Sequence, residues 1–462
     1  MRPLTTTSLA LRLRRELPPS APLPAAAQTL ACRRRPLEYL RWCHARYGDR
    51  FVVYPLDMPP LVFLADPAEI HAVLTAPVDV LHPGAGGAIL APLVGKRSFM
   101  LCEEAEHLQG RKAAMPAFTR AAVESRAEIV ARTIREEIES WPLDSPTALH
   151  QPIRVVALQV ILQAIFCDYE ALDLLRERLL ELLSITSTML LQEPKLRHLP
   201  GWRQTWRRFL ICREQVDAML FELIASHRPA DAPSSGDLLG DLLAATNADS
   251  TPMSHCQVRD HLMSMIVAGH ETTTAEIAWA IQLLAHNQDV QTRLAREIDG
   301  GDGQQYLKAV VQEVLRHRPT FLFTIPRAVN KTTTIGDHVY RAPAHLLGCT
   351  YLMHHNPSLY PKPDQFRPQR FIDESRELHT WLPWGTGHKR CLGRHLAVLE
   401  AETLLAELSA SRRVLPASRQ IEPARWRSAI LVPQHGCRVV LQRRSRAARP
   451  TPAPPRATAL VT

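Results

Sequence analysis

Apolar residues recur with a helical period over most of the chain. Spacing near 3.6 residues predicts helices over 121–141, 152–167, 170–191 and 203–227. A longer helix is predicted over 254–285, and at 1.5 Å per residue it would be about 48 Å long, enough to cross a whole domain. Apolar runs of only a few residues, such as 51–54 and 61–64, predict short strands. The pattern therefore predicts a mainly α fold with small β-sheets, an α+β protein, and the length of 462 residues allows two or three ordinary domains or one large one.

The middle of the long predicted helix contains residues that helix interiors rarely hold. Ala268-Gly269-His270-Glu271-Thr272 interrupts an otherwise apolar stretch. Gly costs roughly 1 kcal/mol in a helix interior, and Thr hydroxyls compete for backbone carbonyls and can bend the helix. A local rule broken in mid-helix often marks a functional site. A Thr-rich kink packed in a core is the alternative interpretation.

The formal charge of +9 would suit a nucleic-acid binder if it were spread over the folded part. Residues 1–35 carry seven Arg and one Glu, and residues 443–462 carry five Arg and no acid, which leaves the body slightly acidic. Both ends are also rich in Pro, so we expect disordered basic tails over 1–35 and 443–462. The folded domain is expected over 36–442, without nucleic acid as a partner.

The cysteines and the hydropathy of the chain indicate the cellular environment in which the protein works. The nine cysteines are odd in number and form no CxxC pair, which favours a reducing environment over a disulfide framework. No run of 18 apolar residues exists, so no membrane span is expected. We therefore expect a soluble, cytoplasmic protein.

The segment WGTGHKRCLG, residues 384–393, places one cysteine directly before a predicted helix. Three glycines let the backbone turn sharply and approach a flat object closely. The N-terminus of a helix should lower the pKa of Cys391 and donate hydrogen bonds to its sulfur. A thiolate of this kind suits a metal, although a glycine-rich turn around a structural cysteine is the alternative.

This loop resembles the cysteine-ligand loop of the cytochrome P450 haem-thiolate enzymes. Trp384, Gly387, Lys389, Cys391 and Gly393 occupy the positions of that pattern. The resemblance implies that Cys391 binds the iron of haem b, with Lys389 near a haem propionate and the other three residues in the loop against the cofactor. It also implies the fold, a single large domain built as a triangular prism of helices around the haem.

The residues in the middle of the long helix are similar to the family's oxygen-activation element. The resemblance implies that Ala268 and Gly269 leave room for O2 beside the haem. It implies further that the Thr272 hydroxyl hydrogen-bonds the activated oxygen and that Glu271 relays protons from water. Both residues are therefore expected to be catalytic.

Two further motifs follow in the family's order. Glu313 and Arg316 match its ExxR pair, and Arg370 matches the Arg of its Pro-x-Arg-Phe segment. The implied triad is a buried charge network that locks the region presenting the cysteine, because removing one member strands a buried charge.

The remaining implied contacts concern the haem propionates and the substrate. His107 and Arg111 lie four residues apart on one helix face, where both can reach one acidic group. With Arg327 they are expected to bind propionates. The expected substrate pocket is lined by Phe321, Leu322, Phe323, Ile266 and Val432.

The resemblance implies a haem-dependent monooxygenase. Thiolate ligation favours O–O cleavage, so O2 and two external electrons would hydroxylate or epoxidise a hydrophobic molecule of fatty-acid, alkane or terpene type. The expected electron donor is a ferredoxin or flavodoxin with its NAD(P)H reductase, attracted by basic residues around the cysteine. A peroxide-driven or isomerising haem-thiolate enzyme and a non-catalytic haem sensor are the alternatives.

Overall fold

A computed structural model of the chain describes residues 16–56, 58–83, 90–102, 104–166, 172–186, 197–227, 238–247, 249–301, 304–373, 379–427 and 429–444. Its helices are α1 Ala25–Arg34, α2 Pro36–Tyr47, α3 Pro67–Thr75, α4 Ala91–Val94, α5 Glu104–Ala114, α6 Arg120–Glu124, α7 Ala127–Ser140, α8 His150–Ile165, α9 Asp173–Thr186, α10 Pro200–Ser226, α11 Leu238–Ala244, α12 His255–His286, α13 Gln288–Gly300, α14 Gln305–His317, α15 Thr350–His354, α16 Arg370–Asp373 and α17 Arg394–Ser411.

The strands are short and belong to four small sheets. They are β1 Arg50–Val53, β2 Leu61–Leu64, β3 Leu81–His82, β4 Pro146–Ala148, β5 Arg327–Val329, β6 Thr333–Ile335, β7 His338–Tyr340, β8 His345–Gly348, β9 Arg412–Pro416, β10 Ala424–Arg427, β11 Ile430–Pro433 and β12 Arg438–Arg443. Helices clearly dominate the described residues, and the predicted α+β class with small sheets is confirmed.

The long predicted helix is observed as α12, and it forms the centre of the fold. Its N-terminus is set by a capping box, in which the Ser254 hydroxyl accepts a hydrogen bond from the Gln257 backbone while the Gln257 side chain accepts one from the Ser254 backbone. Helices α8, α10, α14 and α17 pack around it. Trp279 is fully buried on α12 and donates a hydrogen bond to the Leu431 carbonyl at 2.8 Å. The middle of α12 therefore lies deep in the protein.

The largest sheet has the strand order β1-β2-β8-β5-β3. Strands β1 and β2 form the hairpin that the sequence predicts, with Phe51 opposite Phe63, and β8 adds to β2 in parallel. This sheet carries Arg327 at the first position of β5. It thus positions one of the expected propionate contacts.

The expectation of a disordered tail over residues 1–35 is wrong for its second half. Helix α1 packs on the domain, and the buried Gln28 accepts hydrogen bonds from the Tyr54 backbone at 3.0 Å and from the Tyr39 hydroxyl at 3.3 Å. Pro24 occupies the N-cap position of α1. The prolines before α1 thus direct a helix start and are not a sign of disorder. Residues 1–15 lie outside the described residues.

The C-terminal boundary of the domain lies at or beyond Arg444. Strand β12 pairs with β9 as far as Arg443, and the Arg444 guanidinium forms an ion pair with Asp299. The predicted boundary at 442 therefore falls slightly short, and residues 445–462 lie outside the described residues. No helix in the described parts of the chain is both long and apolar enough to cross a membrane.

Candidate active site

The cysteine loop has the sharp turns that its glycines allow. Gly385 and Gly387 have φ of 64° and 67°, in the left-handed region that side chains disfavour. The Cys391 backbone N–H donates to the Trp384 carbonyl at 2.9 Å, which closes the loop. Gly393 then caps α17. These turns leave the Cys391 side chain exposed at the start of a helix, as a metal ligand requires.

The electrostatic surroundings of Cys391 differ from the prediction. Part of the thiol surface is open to solvent, but the protein atoms packed around it remove much of its hydration, and this desolvation raises its pKa above the usual value, while the Gly393 backbone N–H and the Arg111 guanidinium oppose that rise. The prediction of a lowered pKa was therefore wrong in net direction, because the cost of desolvating a thiolate exceeds the effect of the helix N-terminus. A bound metal cation deprotonates a coordinating thiol outright.

The middle of α12 faces the cysteine loop. Ala268 and Thr272 lie one turn apart and both have exposed surface, although the helix around them is mostly buried. The charge of Glu276, one turn further on, acts on Cys391, which brings the loop close to this part of α12. The Thr272 hydroxyl donates to the Ala268 carbonyl at 2.5 Å. Cys391 and Ala268 are thus exposed, and Thr272 is half-buried, where α12 passes the cysteine loop; the region between them is here called the cleft.

Gly269 serves the packing of α12 against α8. A Cβ at this position would lie 3.0 Å from Cδ1 of Ile161, closer than an ordinary contact. The absent side chain thus makes room for Ile161, and the exposed small residue on the cleft side is Ala268.

Glu271 is held by a residue that sequence reasoning missed. Arg154 Nε on α8 lies 3.0 Å from Glu271 Oε1, and the Arg154 side chain is only 1% exposed. Burial lowers the pKa of Arg154 and the carboxylate opposes that shift. A signal was present, since Arg154 stands in an otherwise apolar helix and lies four residues after His150, the same spacing as His107 and Arg111.

Two of the expected propionate ligands are cations without an acidic partner. Arg327 is buried, and its Nε has no hydrogen-bond partner among the described residues. Arg111 lies near Cys391, and burial lowers its pKa. In the described part of the chain, neither guanidinium forms an ion pair with a carboxylate. Arg327 is buried and Arg111 is half-buried, and an unpaired cation with reduced hydration is costly, so an anionic group in contact with either of them would relieve that cost. The donor set therefore fits a haem with its propionates.

The other two expected propionate contacts already have protein partners. His107 is buried, with Nδ1 2.7 Å from the Phe99 carbonyl. Lys389 Nζ donates to the Cys102 carbonyl at 3.1 Å, which ties the cysteine loop to the segment before α5. Both residues lie close to the site, and their role towards haem stays a prediction.

Glu313, Arg316 and Arg370 meet as the sequence predicts. All three are fully buried. Glu313 accepts hydrogen bonds from Arg316 at 2.7 and 2.9 Å and from Arg370 Nε at 3.1 Å. It also accepts the Arg367 backbone N–H at 2.8 Å. The two guanidiniums bond carbonyls of the segment from 354 to 365, so the network joins α14 to the chain that precedes the cysteine loop.

The expected pocket residues divide into two groups. Ile266, Leu322 and Val432 pack in the core, with exposed fractions of 0, 2 and 4%, because neighbouring helices and strands cover them. They therefore do not line an open cavity in this structure. Phe321 is 45% exposed, and Phe323 makes edge contacts with Phe63 and Trp426 at 5.4 Å each.

Comparison with protein-family models settles the family. The model described as "Cytochrome P450" matches residues 17–439. The chain belongs to the cytochrome P450 family. It is 32% identical over 450 residues to "Putative cytochrome P450 135A1" of Mycobacterium tuberculosis, covering 94% of this chain and 98% of that one. It is 33% identical over 441 residues to "Putative cytochrome P450 137" of the same species, covering 91% and 90%.

A solved structure supports the fold. The structure titled "Retinoic acid bound cyanobacterial CYP120A1" superposes with a TM-score of 0.80, covering 92% of this chain and 99% of that one at 20% identity. As a cytochrome P450, the protein is a haem-dependent monooxygenase, an oxidoreductase that uses O2. P450 enzymes generally need a redox partner. The predictions of family, enzyme class and cofactor are confirmed.

Proposed function

We propose that this P450 hydroxylates or epoxidises a hydrophobic small molecule of fatty-acid, alkane or terpene type. Phe323 packs edge-on against Phe63 and Trp426 and lies two residues after the exposed Phe321, so an aromatic part of the core adjoins a side chain that can contact an apolar ligand. The solved neighbour is described as bound to retinoic acid, a hydrophobic molecule. Both observations support an apolar substrate.

The observation that supports the active-site assignment best is that the exposed Cys391 thiol lies near the part of α12 that carries the exposed Ala268 and the half-buried Thr272. In this proposal Cys391 ligates haem iron, and Arg111, Arg327, His107 and Lys389 surround the propionates. The bound haem supplies the oxidising chemistry with O2. Trp384, Gly387 and Gly393 shape the loop that presents the thiol.

Thr272 and Glu271 handle protons in this proposal. The Thr272 hydroxyl donates to its own helix at Ala268, and rotation about χ1 would turn it towards the cleft. Glu271 holds or releases a proton at its carboxylate, next to Thr272 in the chain. A positioned acid or base of this kind typically contributes 10²- to 10⁴-fold to a rate.

Electrons come from a ferredoxin or flavodoxin with its NAD(P)H reductase in this proposal. Lys112 and Arg390 are exposed close to the cysteine loop. Leu108 lies one turn before Lys112 on α5, Met115 follows the end of that helix, and both are about half exposed. An apolar centre with basic neighbours suits an acidic electron carrier, with charge increasing the association rate more than the affinity.

A spectral binding screen tests the substrate class. Fatty acids, alkanes and terpenes would be titrated into the ferric protein, and binders would then be incubated with O2, NADPH, a ferredoxin and its reductase. We expect a spectral shift and an oxygenated product with at least one apolar class. Turnover only with hydrogen peroxide, or only of polar compounds, would contradict the proposal.

Charge reversal tests the electron donor. Lys112→Glu should slow reduction by an acidic ferredoxin and make the reduction rate less dependent on ionic strength. The reason is that an acidic side chain at this position removes electrostatic attraction of the acidic partner. Arg203→Glu is the matched control, since Arg203 is an exposed cation on the distant helix α10. Equal reduction rates for the two variants would contradict a docking surface at Lys112.

A further inference from the structure

A buried polar cluster lies between α8 and α12, on the side of α12 that packs against α8. His150 and Arg154 are one turn apart on α8, and His270 and Glu271 are neighbours on α12. His270 has no exposed surface, and His150 and Arg154 are also buried. Four such residues between packed helices are expensive to bury without a purpose, because each must lose its hydration.

Arg154 fixes one side of the cluster. Its Nε contacts Glu271 at 3.0 Å, and its Nη1 donates to Gln151 at 3.1 Å. His270 Nδ1 lies 3.8 Å from the same Glu271 oxygen. That distance exceeds the roughly 2.9 Å of a hydrogen bond, so a small side-chain rotation or one water molecule would connect the two groups.

Several nitrogen atoms of the cluster lack a hydrogen bond within the described residues. They are His150 Nε2, both ring nitrogens of His270, and Arg154 Nε and Nη2, although the His270 ring also lies against the Arg154 backbone. Glu271 Oε1 also lacks a hydrogen bond there, so its 3.0 Å contact with Arg154 Nε is an ion pair without hydrogen-bond geometry. Buried polar atoms in this state are typically satisfied by internal water. The cluster therefore has the polar groups that a chain of internal water molecules would bind.

The charges around the two imidazoles keep them neutral. Burial, followed by the nearby cations Arg154 and Arg427, lowers the pKa of His150 to about 4, and burial with Arg154 lowers that of His270 further below its usual value. A neutral imidazole has one N–H donor and one bare nitrogen. It can release a proton at one nitrogen and accept another at the other without a change of charge.

This inference rests on the proposed role of Glu271. We propose that protons reach Glu271 from the α8 side through His270, and that Arg154 is the positioning residue that holds the Glu271 carboxylate beside that path. In each transfer the His270 N–H proton moves to the Glu271 carboxylate. The other His270 nitrogen takes a proton from water or from His150, and that donor is reprotonated from solvent, so no electrons move and the imidazole stays neutral. A ring flip or a water molecule then returns the ring proton to the nitrogen that faces Glu271, which resets His270 for the next transfer.

The outer end of the path lies at His150. This residue opens α8, and its backbone N–H donates to the Gly436 carbonyl, in the turn before β12. It is 6% exposed, and Arg427 on β10 is partly exposed nearby. The route therefore approaches the protein surface between α8 and the strands β10 and β12, away from the cleft.

Exchange of ring protons with water tests the path without turnover. In the haem-loaded protein labelled with ¹⁵N-histidine, the His270 ring N–H should exchange with water about tenfold or more faster than that of His261. His261 is the matched comparison, since it is equally buried on α12 and accepts a hydrogen bond from the Phe99 backbone. Equal or slower exchange at His270 would overturn the hydrated path.

Coupling of reductant use to product formation tests the function of the path. His270→Leu and His270→Asn should each lower product per electron by roughly tenfold, raise peroxide release and enlarge the solvent isotope effect. His286→Leu, at the far end of α12, is the control. Arg154→Gln should also uncouple the enzyme, with partial rescue by Arg154→Lys, which keeps the charge.

The outcomes separate this inference from the proposed function. If Glu271→Gln leaves coupling unchanged, the relay role of Glu271 itself fails. If Glu271→Gln uncouples the enzyme while both His270 variants and Arg154→Gln remain coupled, Glu271 relays protons but does not receive them from the α8 side through His270. An unchanged thiolate spectrum of the reduced CO complex in each variant verifies that the haem site is intact.

Discussion

Removing the Glu313 carboxylate should be among the most damaging single changes outside the haem site. Glu313→Ala strands the buried guanidiniums of Arg316 and Arg370 and deletes four hydrogen bonds, including that of the Arg367 backbone. Breaking a buried ion pair on one side costs about 3–5 kcal/mol. With an m-value near 3 kcal/mol/M, the urea midpoint should fall on the order of 1 M.

The assay is urea unfolding followed by both fluorescence and haem absorbance. Because the network joins α14 to the segment before the cysteine loop, we expect haem loss to precede or accompany unfolding in the variant. Glu124→Ala removes one partner of an exposed ion pair with Arg120, and it should leave the midpoint unchanged. A urea midpoint of Glu313→Ala equal to that of Glu124→Ala would refute the reasoning.

Two further predictions concern a hydroxyl and a buried carboxyl. Thr272→Ala should keep the rate of NADPH consumption but send the electrons to peroxide, because the hydroxyl that could turn towards the cleft is lost. An unchanged amount of product per NADPH consumed would argue against a role of the Thr272 hydroxyl. Burial raises the pKa of Glu400 from 4.5 to about 8, so the native state retains a proton that the unfolded chain releases, and stability should decline as pH rises between these values. Glu400→Gln should flatten the dependence of Tm on pH across that window, and parallel Tm curves for the two proteins would contradict the assignment.

Periodicity predicted the scaffold because it is a local property, and the contacts that start the observed helices are local as well. The start of α12 follows from Ser254 and Gln257, and the start of α3 from Asp66 and Pro67. The triad of Glu313, Arg316 and Arg370 depends on contacts distant in sequence, and only the resemblance to a family joined its members.

The failures have physical causes that composition does not reveal. The prolines before α1 were interpreted as disorder, although one of them caps a helix and the following Gln28 is buried. The Cys391 thiol pKa was predicted from its helix N-terminus alone, whereas burial has the larger effect. The Arg154–Glu271 ion pair joins two helices 117 positions apart in the chain, and no local pattern specifies such a pair.

The measurement that tests the central claim most directly is the absorption spectrum of the reduced CO complex of Cys391→Ser beside that of the unchanged protein. The unchanged protein should show the red-shifted band of a thiolate-ligated haem, and the variant should lose it, because a serine hydroxyl does not supply thiolate donation. Persistence of that band in Cys391→Ser would contradict the assignment of the ligand and the active site built around it.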